Sequence, residues 1–579
     1  MYSYQQIQDA VGTAETAAAP YSREEFVAAA SRPHLAPLLA ELRTDAAREE
    51  PLPDLPYRLF RSYVHSGDRS QYEGRYFERR RRLNSAAAVT LIDGGDTNLS
   101  VLQDILWEIC GEYSWAVPAH HRFNTTLDLG YDRCIDLFAA ETAHTLAEIL
   151  ALLGDELEEP VRHRVRAEID RRVLSPFLDE PRSRWWETST NNWAAVCAGA
   201  IGMAGLALET DPLRLAALID RVQRTMAAFQ SGFGPDGGCV EGMDYWVYGY
   251  GYFVYYAEAL RSRTGLDLLP ETAHIAGFPA AIDFGGGHCV SFSDGSNRVV
   301  PPTGLMTRLS QRLSTPLPHI TRLSTFEDDG CHRWGHLSRT LLWGDSSVVG
   351  RPSPVGTAWL ADLSWLICRE PVGTAFAAKG GNNAEPHNHL DLGSFILAVA
   401  GEQLLADLGS GVYDAAYFGP ERYGALHTSA AGHSVPIVAG VDQRPGEDSV
   451  ARVIDQVSTD EHVGLELDLS EAYAGQGFHR RFDWRSGHRL ELTDRFDEPG
   501  RELVERFISR VEPELDDDRA VWRGERGRVT LYHSGDWRTE VERIDTLDHH
   551  AKPETVYRLT LNGITASVHR FEFVVELDG

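Results

Sequence analysis

Residues 382–433 read NNAEPHNHLDLGSFILAVAGEQLLADLGSGVYDAAYFGPERYGALHTSAAGH, and their periodicity decides the fold class of the second half of the chain. His387 and His389 are two residues apart, so both side chains point to the same face of an extended segment. The runs 393–399 and 403–407 predict a β-hairpin. A longer loop follows, and then a further strand. This stretch therefore combines β structure with two closely spaced imidazoles.

Three side chains of this stretch, His389, Asp407 and His433, form a chemically reasonable ligand set for a zinc ion. His387 would then remain free for chemistry beside the metal. The spacing matches none of the compact zinc motifs, such as paired CxxC or HExxH. The alternative is that the histidines are hydrogen-bonded groups at strand ends and that Asp407 belongs to a turn.

The length and charge of the chain restrict its class. With 579 residues it is too long for one core, so two or three domains are expected. The formal net charge of −30 argues against nucleic acid or an anionic membrane as a partner. A polyanionic substrate would need local cations, for which the sequence offers Lys379, Arg422 and the run 79–82.

The start of the sequence gives an expectation about location. MYSYQQIQDAVGTAETAAAPYSREEF has no basic segment followed by an apolar one, and no later stretch approaches the ~20 apolar residues of a membrane span. The 7 cysteines are scattered without a CxxC motif, which is typical of reduced thiols. We therefore expect a cytoplasmic protein without a membrane partner. Secretion by another route and a homo-oligomer remain open.

The periodicity changes once along the chain. Apolar residues between 135 and 153 recur on one side of a helix, and similar segments joined by short loops predict stacked helix hairpins, as in a solenoid or a toroid. From about residue 338, short strands separated by turns predict an antiparallel sandwich. We predict a multidomain α+β fold, with a helical domain over residues 1–335 and a β-sandwich over residues 336–579.

Two motifs in the helical half carry candidate functional side chains. Asn191 and Asn192 lie at or near the start of a predicted helix, where the simpler role of an asparagine is capping. Tyr245 and Tyr248 share one face of another predicted helix. An aromatic stripe of this kind is usually part of a core, so a structural role is the alternative for both tyrosines.

Four motifs taken in order resemble those of the heparinase II/III-like family of polysaccharide lyases. They are TSTNNWAAVCAG, DGGCVEGMDYWVYGYG, HNHLDLGSF with LLADLGSGVY, and GHSVPIVAG. The resemblance runs from about residue 90 onwards. It implies an incomplete (α/α) toroid followed by an antiparallel β-sandwich. It also implies β-elimination on polysaccharides that contain uronic acid.

The resemblance further implies roles for individual residues. His389, Asp407 and His433 would hold a zinc ion with a structural role, because three protein ligands alone do not establish catalysis. His387 would be a catalytic histidine beside this centre.

β-Elimination needs a base at C5 of the uronate, an acid at the leaving oxygen and donors that stabilise the carboxylate as it gains charge. The resemblance implies Asn192 and His387 as the donors. Tyr245 would be base and acid, with Tyr248 as its rival. The expected substrate contacts are Asn191, Glu241 and Trp246, with capping or inward packing as the alternatives.

Trp193 stands where several alginate-degrading relatives have a histidine, which favours a glycosaminoglycan type of substrate. Two other functions remain as alternatives. A glycoside hydrolase on an α/α toroid would need two opposed carboxylates, and Glu241 and Asp244 are available without an obvious second acid. A non-catalytic carbohydrate-binding protein would explain the aromatic residues alone.

Overall fold

The structure is a computed structural model that describes residues 1–13, 19–121, 130–459, 461–485 and 488–578. Helices occupy the first part of the chain. They are α1 (Tyr4–Thr13), α2 (Arg23–Ala30), α3 (Ala36–Ala46), α4 (Tyr57–Phe60), α5 (Ser62–Ser66), α6 (Ser70–Asp93), α7 (Asp96–Cys110), α8 (Pro118–His121), α9 (Leu137–Leu153), α10 (Glu159–Ile169), α11 (Ser175–Asp179), α12 (Asn192–Leu208), α13 (Pro212–Gln230), α14 (Met243–Thr264), α15 (Ala273–Ala276), α16 (Phe278–Ile282), α17 (Thr303–Leu313) and α18 (Trp334–Trp343). Within the described ranges, no helix is both long and apolar enough to cross a lipid bilayer.

Strands occupy the last part of the chain, apart from one short hairpin between α16 and α17. They are β1 (Asp283–Gly285), β2 (His288–Cys289), β3 (Gly356–Leu360), β4 (Trp365–Arg369), β5 (Thr374–Lys379), β6 (Gly381–Asn383), β7 (Phe395–Val399), β8 (Glu402–Leu405), β9 (Ile437–Val438), β10 (Gly446–Ser458), β11 (His462–Asp468), β12 (Phe478–Arg485), β13 (Arg489–Phe496), β14 (Glu502–Ser509), β15 (Glu514–Asp516), β16 (Arg519–Arg523), β17 (Gly527–His533), β18 (Arg538–Leu547), β19 (Pro553–Ile564) and β20 (Val568–Leu577).

The described strands of the β half form three open antiparallel sheets. The largest has the order β15-β16-β17-β20-β13-β12-β11-β10-β6, and the others have the orders β18-β19-β14-β9 and β3-β4-β5-β7-β8. Aromatic side chains fill the space between the sheets, as where the Phe395 ring centroid lies 5.7 Å from that of Phe482 and 5.4 Å from that of Phe573. The predicted order of a helical region followed by antiparallel sheets is confirmed.

The change from helix to strand falls later than the predicted boundary at residues 335 and 336. Helix α18 runs from Trp334 to Trp343, and the first strand after it begins at Gly356. The buried Arg339 side chain of α18 pairs with Glu148 of α9, with 2.6 Å between Nη2 and Oε1. Because this ion pair lies in the helical core, α18 packs with the helices.

Helix α12 lies at the centre of the helical half, where it packs against α9, α13 and α14. Its residues are mostly alanine and glycine, so neighbouring helices can approach closely. A Cβ on Gly199 would lie 3.0 Å from the Tyr252 carbonyl oxygen of α14. A Cβ on Gly249 of α14 would lie 3.1 Å from the Asn192 Cα. This close packing places the first residue of α12 beside the N-terminal part of α14.

The buried side chain of Arg480 holds two loops of the β half in place. The guanidinium of Arg480 pairs with Asp494 at 2.7 Å and with Glu505 at 2.9 Å. Its Nη1 also donates to the carbonyl oxygens of Gly393, at 3.1 Å, and of Ser434, at 3.0 Å. A planar guanidinium presents several donors in fixed directions, so one side chain holds both loop ends.

The contact between α17 and α18 gives a stability prediction. A Cβ on Gly304 would lie 2.1 Å from the Arg339 carbonyl oxygen, whereas a Cβ on Gly12 of α1 would meet nothing within 4 Å. We expect Gly304→Ala to lower the free energy of unfolding by about 1–3 kcal/mol because the two helices must move apart. Gly12→Ala is the matched control and should be neutral or slightly stabilising. Denaturant unfolding measures both, and equal stability of the two variants would contradict the close contact.

Candidate active site

A cavity of about 840 Å³ lies where the helical half meets the loops of the β half. Its wall includes Asn192 and Tyr245 from the helices, and His387 and Tyr413 from the loops. Its volume is within the range of small-molecule and sugar sites, which commonly form at domain interfaces. The candidate site is therefore built from both halves of the chain.

Tyr245 lies in the first turn of α14. A close contact at Gly242 determines which loop packs against that turn. Gly242 has a φ of +90°, and a Cβ there would lie 3.0 Å from the Gly295 Cα. Glycine is required because the backbone is left-handed and the space is filled. The contact brings the loop that carries Asp294 against the start of α14. Asp244 strengthens it, since its Oδ2 accepts from the Ser296 N–H at 2.8 Å.

Asn191 and Asn192 have different environments at the start of α12. The Asn191 side chain caps the helix, and its Oδ1 accepts from the Trp193 N–H at 3.2 Å. The Asn192 side chain is buried and lines the cavity. The Asn192 backbone lies close enough to the buried Glu241 carboxylate to lower the pKa of Glu241, although burial raises that pKa overall. Asn192 is therefore the asparagine that can meet a ligand.

His387 lies in the loop between β6 and β7 with a φ of +57°, a conformation that is uncommon for a residue other than glycine. Its Nδ1 lies 2.5 Å from Asp294 Oδ2, and its Nε2 lies 3.3 Å from Glu241 Oε1. The ring centroids of His387 and Tyr245 are 4.4 Å apart. Although burial disfavours the imidazolium, Asp294 and Glu241 raise the pKa of His387 above its ordinary value.

Asp294 is a buried carboxylate on which several side chains of the site converge. It accepts from the ring nitrogens of His387 and His389, and from the hydroxyls of Tyr413 and Tyr417. Burial disfavours its charge, but the two imidazoles hold the pKa of Asp294 well below its ordinary value. The carboxylate therefore remains ionised inside the protein.

Tyr245 and Tyr413 form a pair of hydroxyls in the cavity wall. Their oxygen atoms are 2.5 Å apart, and the Tyr413 hydroxyl also donates to Asp294 Oδ2 at 3.0 Å. Burial and the nearby Asp294 charge raise the pKa of Tyr245 well above its ordinary value. The site as it stands keeps this residue a neutral phenol rather than a phenolate.

Tyr248 lines the same cavity but has other neighbours. Its ring lies under the Arg333 guanidinium, with 3.9 Å from Cζ to the ring centroid. Its buried hydroxyl has no hydrogen-bond partner among the described residues. The structure therefore brings Tyr245, and not Tyr248, into contact with His387.

His389, Asp407 and His433 lie together in the buried part of the β half, with one potential ligand atom from each within 4.8 Å of the others. The His433 Nε2–H donates to the His427 carbonyl at 2.9 Å, and its Nδ1 lies 3.1 Å from Asp407 Oδ2. The His389 Nε2–H donates to Asp294 Oδ1 at 2.9 Å.

The hydrogen bonds of these residues leave donor atoms suited to a cation. The Nδ1 of His389 is buried without a hydrogen-bond partner in the described part of the chain. With Nε2 of His433 already donating, a neutral ring would turn the lone pair of its Nδ1 toward a carboxylate oxygen. Both observations fit a metal ion, because each outer nitrogen is held by an acceptor as in known zinc sites.

Three residues predicted to bind substrate lie outside the cavity wall. Asn191 caps α12. Glu241 is buried beside His387 and Asn192. Trp246 is fully buried, and its indole N–H donates to the Ile275 carbonyl at 2.9 Å. The alternatives of capping and inward packing describe Asn191 and Trp246.

The cations proposed from the sequence are engaged elsewhere. Lys379 is buried and pairs with Asp391 at 2.7 Å. In the run 79–82, two of the four arginines share Glu112. Arg422 lies 3.5 Å from Asp294, behind the wall. Among the described residues, the arginines that line the cavity are Arg69, Arg298 and Arg333.

Several side chains of the site were not predicted from the sequence. Tyr413 and Tyr417 lie inside the quoted stretch 382–433, in a segment of turns that has no helix or strand periodicity to mark them. Asp294 lies in a short polar loop with no comparable signal, 93 residues from its partner His387. His120 also lines the cavity. Its ring centroid is 4.8 Å from that of Trp193.

Comparisons with known proteins agree with this architecture. The model of the family "Heparinase II/III-like, C-terminal" matches residues 369–569. No curated protein matches the chain significantly by sequence. Among solved structures, a heparinase III has a TM-score of 0.62 at 12% identity, covering 88% of this chain and 77% of its own.

Two further solved structures have the same fold. A heparan sulfate lyase from Pedobacter heparinus has a TM-score of 0.54 at 12% identity, covering 96% of this chain and 93% of its own. A chondroitin AC lyase variant from Streptomyces coelicolor has a TM-score of 0.50 at 12% identity, covering 99% of this chain and 83% of its own.

At these identities the solved structures establish the fold, and the family model identifies the β half. The predicted toroid and sandwich architecture is confirmed, as is the resemblance on which it was based. Residues 369–569 thus match the model of the heparinase II/III-like C-terminal family, in a chain with the fold of the heparinase and chondroitin lyase structures.

Proposed function

We propose that this protein is a polysaccharide lyase that cleaves a polymer or oligomer containing uronic acid by β-elimination. The observation that carries the proposal is the convergence of Asn192 and Tyr245 from the helical half with His387 from the β half on one cavity. The 4.4 Å between the Tyr245 and His387 rings places a phenol and an imidazole where one sugar ring can meet both. The heparinase and chondroitin lyase structures of the same fold support the same reaction class.

The carboxylate of the uronate must gain negative charge when its C5 proton is removed. His387 suits the task of stabilising it, since Asp294 and Glu241 favour the imidazolium form. The Asn192 amide supplies a neutral donor in the same wall. Donors fixed before the reaction are effective because they need not reorganise as the charge develops.

Tyr245 is our candidate for the proton transfers at C5 and at the leaving glycosidic oxygen. Its raised pKa makes it a phenol in the free protein, so it can donate to the leaving oxygen directly. To act as a base at C5 it must first release its own proton. The Tyr413 hydroxyl, 2.5 Å away, can receive that proton while it transfers its own to the Asp294 Oδ2 that it contacts at 3.0 Å.

The charges of the cavity favour a substrate with few sulfate groups. Arg69 is paired with Glu73 at 2.7 Å, and Arg333 with Asp329 at 2.5 Å. Among the described residues, Arg298 is the cavity arginine without a carboxylate within 4.0 Å. One available guanidinium suits a single carboxylate rather than several sulfates, which supports an unsulfated or sparsely sulfated glycosaminoglycan.

We also propose that His389, Asp407 and His433 hold a zinc ion. Two imidazoles and a carboxylate are ligands that zinc prefers, and their outer hydrogen bonds leave the Nδ1 atoms for the ion. A bound zinc ion would cross-link three loops, which lie before β7, after β8 and before β9. The protein's own residues perform the proton transfers.

The hydrolase alternative has weaker support from the geometry. A glycosidase needs two carboxyl groups on opposite sides of the scissile bond. Glu241 is buried and turned to His387, and Asp294 is occupied by hydrogen-bond donors. Asp244 lines the cavity but accepts a backbone hydrogen bond.

Incubation with a panel of polysaccharides tests the reaction class. We expect the ultraviolet absorbance of the conjugated C4=C5 product to rise with hyaluronan or unsulfated chondroitin, and to rise more slowly with heavily sulfated heparin and with alginate. New reducing ends without this absorbance would indicate a hydrolase. Binding without either signal would indicate a carbohydrate-binding protein.

A pair of tyrosine variants tests the assignment of the proton-transfer residue. Tyr245→Phe removes the hydroxyl that contacts Tyr413, and we expect kcat to fall at least ~100-fold, the usual contribution of general acid–base catalysis. Tyr248→Phe is the matched control from the same helix and should retain most of kcat. Steady-state kinetics measures kcat of both variants, and an unchanged circular dichroism spectrum shows that each variant is folded. The reverse pattern would transfer the role to Tyr248.

Metal analysis tests the zinc proposal. We expect purified protein to contain stoichiometric zinc and to lose several degrees of Tm when a chelator removes it, because binding to the folded state alone stabilises that state. His433→Ala should lack the metal. His462→Ala is the control, since His462 pairs with Asp483 on a sheet surface and should retain zinc. Unchanged zinc content in His433→Ala would refute the assignment.

A further inference from the structure

Asp294 joins the two functional parts of the site through its two oxygens. Oδ2 accepts from the Nδ1 of His387 at 2.5 Å and from the Tyr413 hydroxyl at 3.0 Å. Oδ1 accepts from the Nε2 of His389 at 2.9 Å and from the Tyr417 hydroxyl. The side chain is completely buried.

These four donors, together with the Arg422 guanidinium 3.5 Å from both oxygens, occupy the carboxylate fully. An ionised carboxylate has about four lone-pair positions. Two are taken by imidazole N–H groups and two by phenol O–H groups, so no position remains for substrate or solvent. Asp294 is therefore a fixed internal support, and it does not touch the reacting sugar.

The bond to each histidine settles which ring nitrogen faces outward. Because Nδ1 of His387 donates to Asp294, its Nε2 is the nitrogen left for other contacts, 3.3 Å from Glu241. Because Nε2 of His389 donates to Asp294, its unpartnered Nδ1 is the nitrogen available to a metal. One carboxylate thus orients the ring of the cavity histidine and sets the tautomer of the metal-site histidine.

The backbone between the two histidines makes this support necessary. His387 has a left-handed φ of +57°, which persists in a non-glycine residue only where the surroundings hold it. Asp294 comes from the loop after β2 in the helical half, whereas both histidines belong to the β half. The hydrogen bonds therefore also fix how this loop of one half docks on the other.

We propose that Asp294 is a positioning residue that couples the metal centre to His387, so that occupation of the centre orders the cavity histidine through one shared carboxylate. The proposal rests on the lyase function and the zinc site proposed above. A metal that holds His389 fixes the N–H that Asp294 accepts. Asp294 then holds His387 in the orientation required at the uronate.

Asp294→Asn tests the coupling with little change in shape. The amide keeps one accepting oxygen but turns an NH2 group toward donors, so one of the two histidines must lose its bond. We expect Zn²⁺ affinity, measured without substrate by chelator competition, to fall about 10- to 100-fold, as for other outer partners of metal ligands. We expect kcat to fall more than KM rises, because His387 acts on the charge that develops in the transition state.

Asp283→Asn is the matched control for the loss of a buried carboxylate. Asp283 lies in β1, is equally buried, and accepts from the His319 N–H at 3.1 Å. Its substitution should leave Zn²⁺ affinity and kcat unchanged. Unchanged Zn²⁺ affinity in Asp294→Asn would overturn the coupling, even if its Tm were lowered.

A measurement on the wild-type chain keeps the test independent of folding of the variant. Nitrogen NMR of the histidine rings, assigned with His387→Gln, should show that removal of Zn²⁺ shifts the His387 signals. Unchanged His387 signals after metal removal would overturn the proposal. If no polysaccharide is cleaved but these signals respond to Zn²⁺, the lyase function fails and the coupling stands. If the protein is a lyase and the signals do not respond, the coupling alone fails.

Discussion

The close contact between α12 and α14 is the constraint on which the site depends. Glycines at 199 and 249 let the two helices approach to a distance that a larger residue would prevent. The contact puts Asn192, the first residue of α12, beside the turn that presents Tyr245. The proposed elimination needs hydrogen-bond donors and a proton-transfer group within the same few ångströms of the cavity wall. Helix packing in the core therefore sets the spacing of two side chains at the surface of the cavity.

The β half contributes loops rather than strands to the site. His387 and His389 precede β7, Asp407 follows β8, and His433 precedes β9. Loops can carry the positive φ of His387 because no strand pairing has to be maintained there. The sheets supply a rigid base, and functional groups lie at its edge, as is common where loops are held by a scaffold.

Much of this arrangement could be predicted because its residues lie in short contiguous motifs. His389, Asp407 and His433 were identified as a set, and the structure places them together. Tyr245 and His387 were expected to meet, and their rings are in contact. The switch from helical to strand periodicity gave the order of the two halves, although α18 extends the helical part beyond the expected boundary.

The features of the site that the sequence did not predict depend on contacts that no local pattern encodes. Asp294 becomes important only because a loop 93 residues earlier in sequence folds against His387. The inward direction of Trp246 depends on where α14 meets the segment around Ile275, not on its spacing from the tyrosines. The cations were misplaced for the same reason, since an arginine is available to a ligand only if no nearby carboxylate has already engaged it.

The buried Arg480 has a consequence for how this protein can vary. Its guanidinium holds the carbonyl oxygens of Gly393 and Ser434, which follow His389 and His433 along the chain. One side chain in the interior of the sandwich therefore fixes the distance between those two histidines. Insertions in the outer loops could accumulate without altering that separation. Replacement of this interior arginine by lysine would not preserve it, because a single ammonium cannot reach both carbonyls and both carboxylates at once.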